Sequence, residues 1–215
     1  YLWLGNAQRK AWEWWRSLAA ISFSFLAPVM LYALLDGLYY YGYIGFSNYH
    51  NPTTQLLKPI ALLSFILALE GLKRQENPWP LRFAAAVLVT LSSLIKPNFV
   101  LAFLPALGLA TLYRLLKKEP VDLKMMIFGY ALPSIAVLLW QWSITYQGAE
   151  YANSIGFGPF VVESYYSRYL LGKFLLSTLF VLQGLFVFRR VIPKDPALLL
   201  GSLSFIVGVF QNYIL

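Results

Sequence analysis

The residues that could do chemistry in this chain are Lys58, Lys96, Arg168 and Lys173, each standing beside a polar motif. The first motif, YHNPTTQLLKP, spans 49–59. Asn51-Pro52-Thr53 is a turn signature, and Thr53 or Thr54 can cap the helix that follows. His50 is the single histidine and stands at that helix mouth. It is placed either to donate to a phosphate or sugar hydroxyl, or to be satisfied by turn backbone. Lys58 lies a turn or two inside the helix, whose free N–H groups favour an anion. The second motif, LIKPNF at 94–99, uses a Lys-Pro step to end one helix and open the next, holding Lys96 and Asn98 at the corner. The third runs over 155–173, where Gly156, Gly158 and Pro159 make a turn, 161–165 is expected along the surface, and Glu163, Tyr165, Tyr166, Arg168 and Lys173 follow.

Cations inside or at the edge of apolar helices are costly, and they read as sites for an anionic partner. A lipid-linked phosphate or pyrophosphate is the natural ligand in a bilayer. The competing reading is that each long side chain snorkels to a headgroup. Nearby acids are Asp36, Glu150 and Glu163. Asp36, within the first apolar stretch, is expected to partner one of the lysines rather than to act as a base.

These motifs need apolar helices to position them, and the composition supplies them. Hydrophobic residues make up 59% and charged residues 12%, whereas about a quarter of a soluble domain is charged. A water-clad globule is excluded, and an all-α polytopic transmembrane bundle is expected. A spanning helix takes about 20 mostly apolar residues. Six stretches qualify, at 18–43, 56–72, 81–95, 99–116, 124–146 and 165–188, and 197–215 is an incomplete seventh. Residues 1–17, with Trp12, Trp14 and Trp15 among Arg9, Lys10 and Arg16, read as an interfacial cytoplasmic segment ahead of the 18–215 helical domain. The start at Tyr1 and the end at Leu215 inside an apolar run are expected to be internal to a longer chain.

Charge then gives an orientation. Apart from Lys58, Lys96, Arg168 and Lys173, every lysine and arginine falls in 1–17, 73–82, 114–124 or 189–194. The positive-inside rule places those segments in the cytoplasm, and 46–55, 96–98 and 147–164 outside. The net charge of +8 is accounted for by this asymmetry, so a nucleic-acid partner is not needed. With no cysteine and one histidine, disulfides and thiolate chemistry are impossible and no metal site is expected. No cofactor is indicated.

At these motifs the chain resembles the C-type membrane glycosyltransferases, the GT-C superfamily. The Asn51–Thr53 turn leading to Lys58 resembles an outer loop of those enzymes. The Lys96-Pro97 corner, with a following span that ends in Arg114, Lys117 and Lys118, is similar to the Lys-Pro corner of polyprenol-dependent mannosyltransferases. Stretches 49–66 and 155–173 look like those of bacterial members, and the likeness covers most of the chain. It implies transfer from a polyprenyl-phosphate sugar on the extracytoplasmic face of a bacterial cytoplasmic membrane. His50, Asn51, Lys58, Lys96, Asn98, Arg168 and Lys173 would bind lipid phosphate and sugar. The chain departs from the superfamily in one respect: no outer loop precedes the first span, so the catalytic acid is expected upstream of Tyr1. Two other functions stand beside this one. One is a non-catalytic integral subunit of a membrane complex, and the other is a lipid or small-molecule transporter. Paired broken helices would mark the transporter, and no such pair is visible.

Overall fold

The computed structural model describes residues 31–37, 52–146, 158, 164 and 167–214. The expected interfacial segment 1–17, most of the first span, His50, Asn51 and nearly all of the 147–166 stretch lie outside them. Among the described residues the secondary structure is helical throughout, without a strand. The helices are α1 (Ala33–Asp36), α2 (Pro52–Lys73), α3 (Trp79–Ile95), α4 (Pro97–Leu116), α5, α6 (Leu170–Val187) and α7 (Pro196–Ile214). Helix α5 opens as a π-helix, Met125–Ala131, and continues as an α-helix, Leu132–Tyr146.

Three of these helices are long and apolar enough to cross a membrane: Pro97–Leu116, Met125–Thr145 and Leu170–Val187. Their outward surfaces carry large apolar side chains such as Leu109, Leu139, Phe180 and Phe186, which only lipid or another apolar partner covers at low cost. This is a membrane protein. Helix α3 is apolar but has 17 residues, or roughly 26 Å of rise against a hydrocarbon core of about 30 Å. Helix α2 has 22 residues but carries Lys58, Glu70 and Lys73.

Helix α3 is the hub, packed against α2, α4 and α5, while α7 lies along α4. Hydrogen bonds between helices fix the directions. Lys96 to Thr54 at one end, and the short 74–78 turn at the other, make α2 and α3 antiparallel. Gln141 Nε2 donates to the Ser93 carbonyl at 3.0 Å, and Gly129 packs near Arg82 and Ala85, so α3 and α5 run in the same direction. Gln211 Nε2 donates to the Leu101 carbonyl at 2.8 Å, which sets α7 antiparallel to α4.

The core gathers Ala68 and Leu72 of α2, Ala85 and Val89 of α3, Phe103, Ala106 and Ala110 of α4, Met125 and Tyr130 of α5, and Leu200 of α7. Alanines and a glycine mix with the larger core residues where helices approach, since in lipid close backbone packing replaces the hydrophobic drive. Gly129 is one such point, because a Cβ there would sit 3.3 Å from both the Ala85 Cβ and the Arg82 carbonyl oxygen. Phe103 stacks on Phe99 at 4.9 Å and meets the Tyr130 ring edge-on at 6.0 Å. The Tyr130 hydroxyl donates to the Ser64 carbonyl at 2.7 Å, so this aromatic does not bury its polar end unpaired.

Chain reversals have their own chemistry. At the end of α4, Lys118 adopts a left-handed conformation (φ 57°), and the Glu119 amide donates back to the Arg114 carbonyl. This is a Schellman-type stop made without glycine. The Arg114–Glu119 ion pair at 2.7 Å holds it shut. Helix α7 starts on Asp195, whose Oδ1 accepts from the Ala197 and Leu198 amides, with Pro196 at the first helical position.

Candidate functional site

The described candidate residues fall into two groups. The first is the Lys96 corner. Pro97 forbids Lys96 the helical conformation, so its backbone is extended (φ −160°, ψ 107°) and joins the end of α3 to the start of α4. Its amide still closes the last turn of α3 on the Ser92 carbonyl. The side chain is half-buried, and Nζ donates across to Thr54 Oγ1 at 2.9 Å. Thr54 is in the first turn of α2, and Lys58 follows it four residues later, on the same side of that helix. Lys58 is exposed and makes no ion pair among the described residues. Asn98 is exposed in the first turn of α4. One turn of α2 and one corner of α3–α4 therefore present two ammonium groups and a hydroxyl at one end of the bundle.

The second group sits at the head of α6. Lys173 is fully buried in the first turn. Its Nζ pairs with Asp36 Oδ2 of α1 at 2.5 Å and donates to Ser167 Oγ at 2.7 Å. The side chain of Asp36 is 3% exposed. The partnership expected between Asp36 and a lysine is thus present, and Lys173 is that lysine. Tyr169 takes a left-handed conformation (φ 55°) just before α6 and stacks on Tyr32 at 5.3 Å. Gly172 leaves room for the Tyr32 ring, which a Cβ would strike. Arg168 is exposed between Ser167 and Tyr169. A buried ion pair of this kind fixes how α1 meets α6, and taking away either partner strands a charge.

At the opposite end of α2 and α3 lies a polar network that the sequence reading did not single out. Asp122, 1% exposed, accepts from Arg82 Nε and Nη2 at 3.1 and 3.0 Å. It also accepts from the Asn77 amide at 2.8 Å, the Asn77 side chain at 3.1 Å and the Met125 amide at 3.0 Å. Its own amide donates to the Gly71 carbonyl. Burial pushes the Asp122 carboxyl up. The bonds from the Met125 amide, the Asn77 side chain, Arg82 and the Asn77 amide outweigh that and hold it below its ordinary value. The available signal was local: an Asp directly before an apolar run is a helix-capping pattern. The network joins α2, α3 and α5 through hydrogen bonds with the Glu70 and Gly71 carbonyls, Arg82 and the Met125 amide.

Among the described residues no cluster of His, Asp or Glu can hold a metal ion. No family model matches the chain, and no curated protein or solved structure matches it.

Proposed function

We propose that the chain is the membrane body of a GT-C type glycosyltransferase, crossing a bacterial cytoplasmic membrane six or seven times. It would use a polyprenyl-phosphate sugar on the extracytoplasmic face. The observation that carries this reading is the direction of Lys96. Its ammonium turns between helices to Thr54, a polar partner on α2, with Lys58 one turn away. A snorkelling lysine would instead extend along the bilayer normal toward headgroups. Two ammonium groups around a threonine hydroxyl suit a lipid phosphate. They would stabilise the negative charge that builds on the phosphate as the sugar departs. His50 and Asn51, directly ahead of α2, would complete the pocket on the sugar side, and Asn98 and Arg168 would flank it. Lys173 is engaged inside the protein by Asp36, so the grip falls to Lys96 and Lys58. The catalytic carboxylate is assigned to neither Asp36 nor Asp122, since each already faces a cation.

The test is binding of a polyprenyl phosphate to the purified protein in detergent. Removing one charge-assisted bond costs about 1.5–3 kcal/mol, so Lys96→Ala should weaken binding about ten- to a hundredfold. Lys96→Arg should restore part of it, because a planar fork replaces a compact ammonium poorly. If both variants bind as the parent does, the phosphate site is not at Lys96. A second reading, an integral subunit of a larger complex, draws on α6, of whose spanning window 11% is buried. A protein that binds no polyprenyl phosphate even with Lys96 intact favours that reading.

A further inference from the structure

Where α6 turns into α7 the two helices do not close on each other. They leave a groove of about 260 Å³, lined by Val181, Gly184 and Phe188 on one side and by Ala197, Gly201 and Phe205 on the other. Pockets for compact drug-sized ligands run to about 300–1,000 Å³, so this groove is slim and its walls are apolar. Gly184 and Gly201 face open space: a Cβ built on either meets nothing within 4 Å. The mouth of the groove is cationic. Arg189 and Arg190 follow directly on Phe188, and Lys194 lies on the same short connection, all three exposed. The Arg189 guanidinium rests on the Phe186 ring, 4.6 Å from its centroid, on the face of α6 turned away from Val181, Gly184 and Phe188. This leaves Arg190 and Lys194, on the connection between the lining residues Phe188, Ile192 and Ala197, as the cations at the end of the groove. The carboxylate on this connection, Asp195, is turned into the first turn of α7 as its cap.

We propose that this groove is a binding site for an anionic phospholipid of the adjoining leaflet. One acyl chain lies between Gly184 and Gly201, and the phosphate sits against Arg190 and Lys194. The assignment follows from the two halves of the site. A slim, mostly apolar slot between two apolar helices takes a hydrocarbon chain, and a guanidinium and an ammonium at its end take a phosphate in charge-assisted hydrogen bonds. Basic pockets between spanning helices select anionic headgroups for the same reason. The site is separate from the Lys96 corner and does not depend on the glycosyltransferase reading.

The experiment is native mass spectrometry of the purified protein, equilibrated with equal amounts of phosphatidylglycerol and phosphatidylcholine. One phosphatidylglycerol should be retained at least tenfold over phosphatidylcholine. Arg190→Ala with Lys194→Ala should abolish the preference. Gly201→Leu, whose Cβ has open space and whose side chain would occupy the slot, should displace the lipid while thermal stability stays at the parent value. Gly184→Leu does the same from the other wall, so the proposal remains testable if one variant fails to fold. Equal retention of the two lipids by the parent overturns the proposal. So does undiminished phosphatidylglycerol in folded Gly201→Leu or Gly184→Leu, or loss of the bound lipid in Lys96→Ala.

Discussion

Asp122→Ala is the perturbation with the largest effect expected from this structure. The carboxylate is 1% exposed and its Arg82 partner 11%, so solvent screens the pair little. Truncation leaves a guanidinium, the Asn77 amide and side chain, and the Met125 amide without their acceptor. Removing one member of a buried ion pair costs about 3–5 kcal/mol, which includes the roughly 1 kcal/mol lost with a helix cap. At about 2–4 °C per kcal/mol for a chain of this size, the melting temperature in detergent should fall by about 6–20 °C. Asp122→Asn keeps an oxygen for the Met125 amide and loses the charge facing Arg82. Its cost is that of a charge-assisted bond, about 1.5–3 kcal/mol, or about 3–12 °C. Combining Asp122→Asn with Arg82→Leu should cost less than the sum of the single changes, since no buried charge is then stranded. The assay is thermal unfolding followed by tryptophan fluorescence. An Asp122→Ala protein melting within about 2 °C of the parent refutes the argument, as does strict additivity in the double variant.

The pH dependence has a definite sign. A carboxyl held below its ordinary value of 3.8 contributes stability that is complete above that value and is lost as pH falls through the folded-state value. The parent should therefore lose stability below about pH 4 more steeply than Asp122→Asn does, and parallel acid profiles would contradict this. At the other end of the bundle, Lys173→Met should destabilise by about 3–5 kcal/mol by stranding Asp36, and adding Asp36→Leu should recover most of it. Thermal unfolding of the two variants reads this directly, and no recovery means that the pair is not coupled. Orientation is open to thiol labelling, because the chain has no native cysteine. Cysteines at Gln75 and Glu119 should be protected from an impermeant reagent applied outside, and one at Asn98 should react. The reverse pattern inverts the proposed topology and removes the outer-face phosphate site with it.

Long apolar runs made the helices legible. The stretch expected at 99–116 is α4, that at 124–146 is α5, and that at 197–215 is α7, each within a few residues. The Lys96-Pro97 corner was also legible, because a pre-proline residue has few conformations to choose from. What Lys96 touches was not, since Thr54 is far away in sequence and only the packing of α2 on α3 brings it there. The same limit hid the Asp122 network: Asp122 is 45 residues from Asn77 and 40 from Arg82, and they meet only because Gly71 and Gly129 let three helices close on one point. Lys173 was visible as a buried cation and Asp36 as a carboxylate in need of one. Their pairing depends on Tyr32 fitting against Gly172, which no periodicity announces.

The π-helical opening of α5 acts as a phase shifter. Seven residues, Met125–Ala131, wind more loosely than an α-helix, and everything downstream inherits the lag. In its present phase the helix turns Ser134 and Gln141 inward, with Gln141 reaching the Ser93 carbonyl, and leaves Trp140 and Trp142 outward. An α-helix advances roughly 100° per residue. Tightening the loose stretch to α-helical winding with its residue number unchanged would therefore rotate the whole of Leu132–Tyr146 by about that angle. Trp140 would swing into the inward direction that Gln141 now holds, and the glutamine would turn toward lipid in the place of Trp142. The lipid-facing side of α5 is thus set not by Leu132–Tyr146 alone, but by how the chain winds in the turn before it begins.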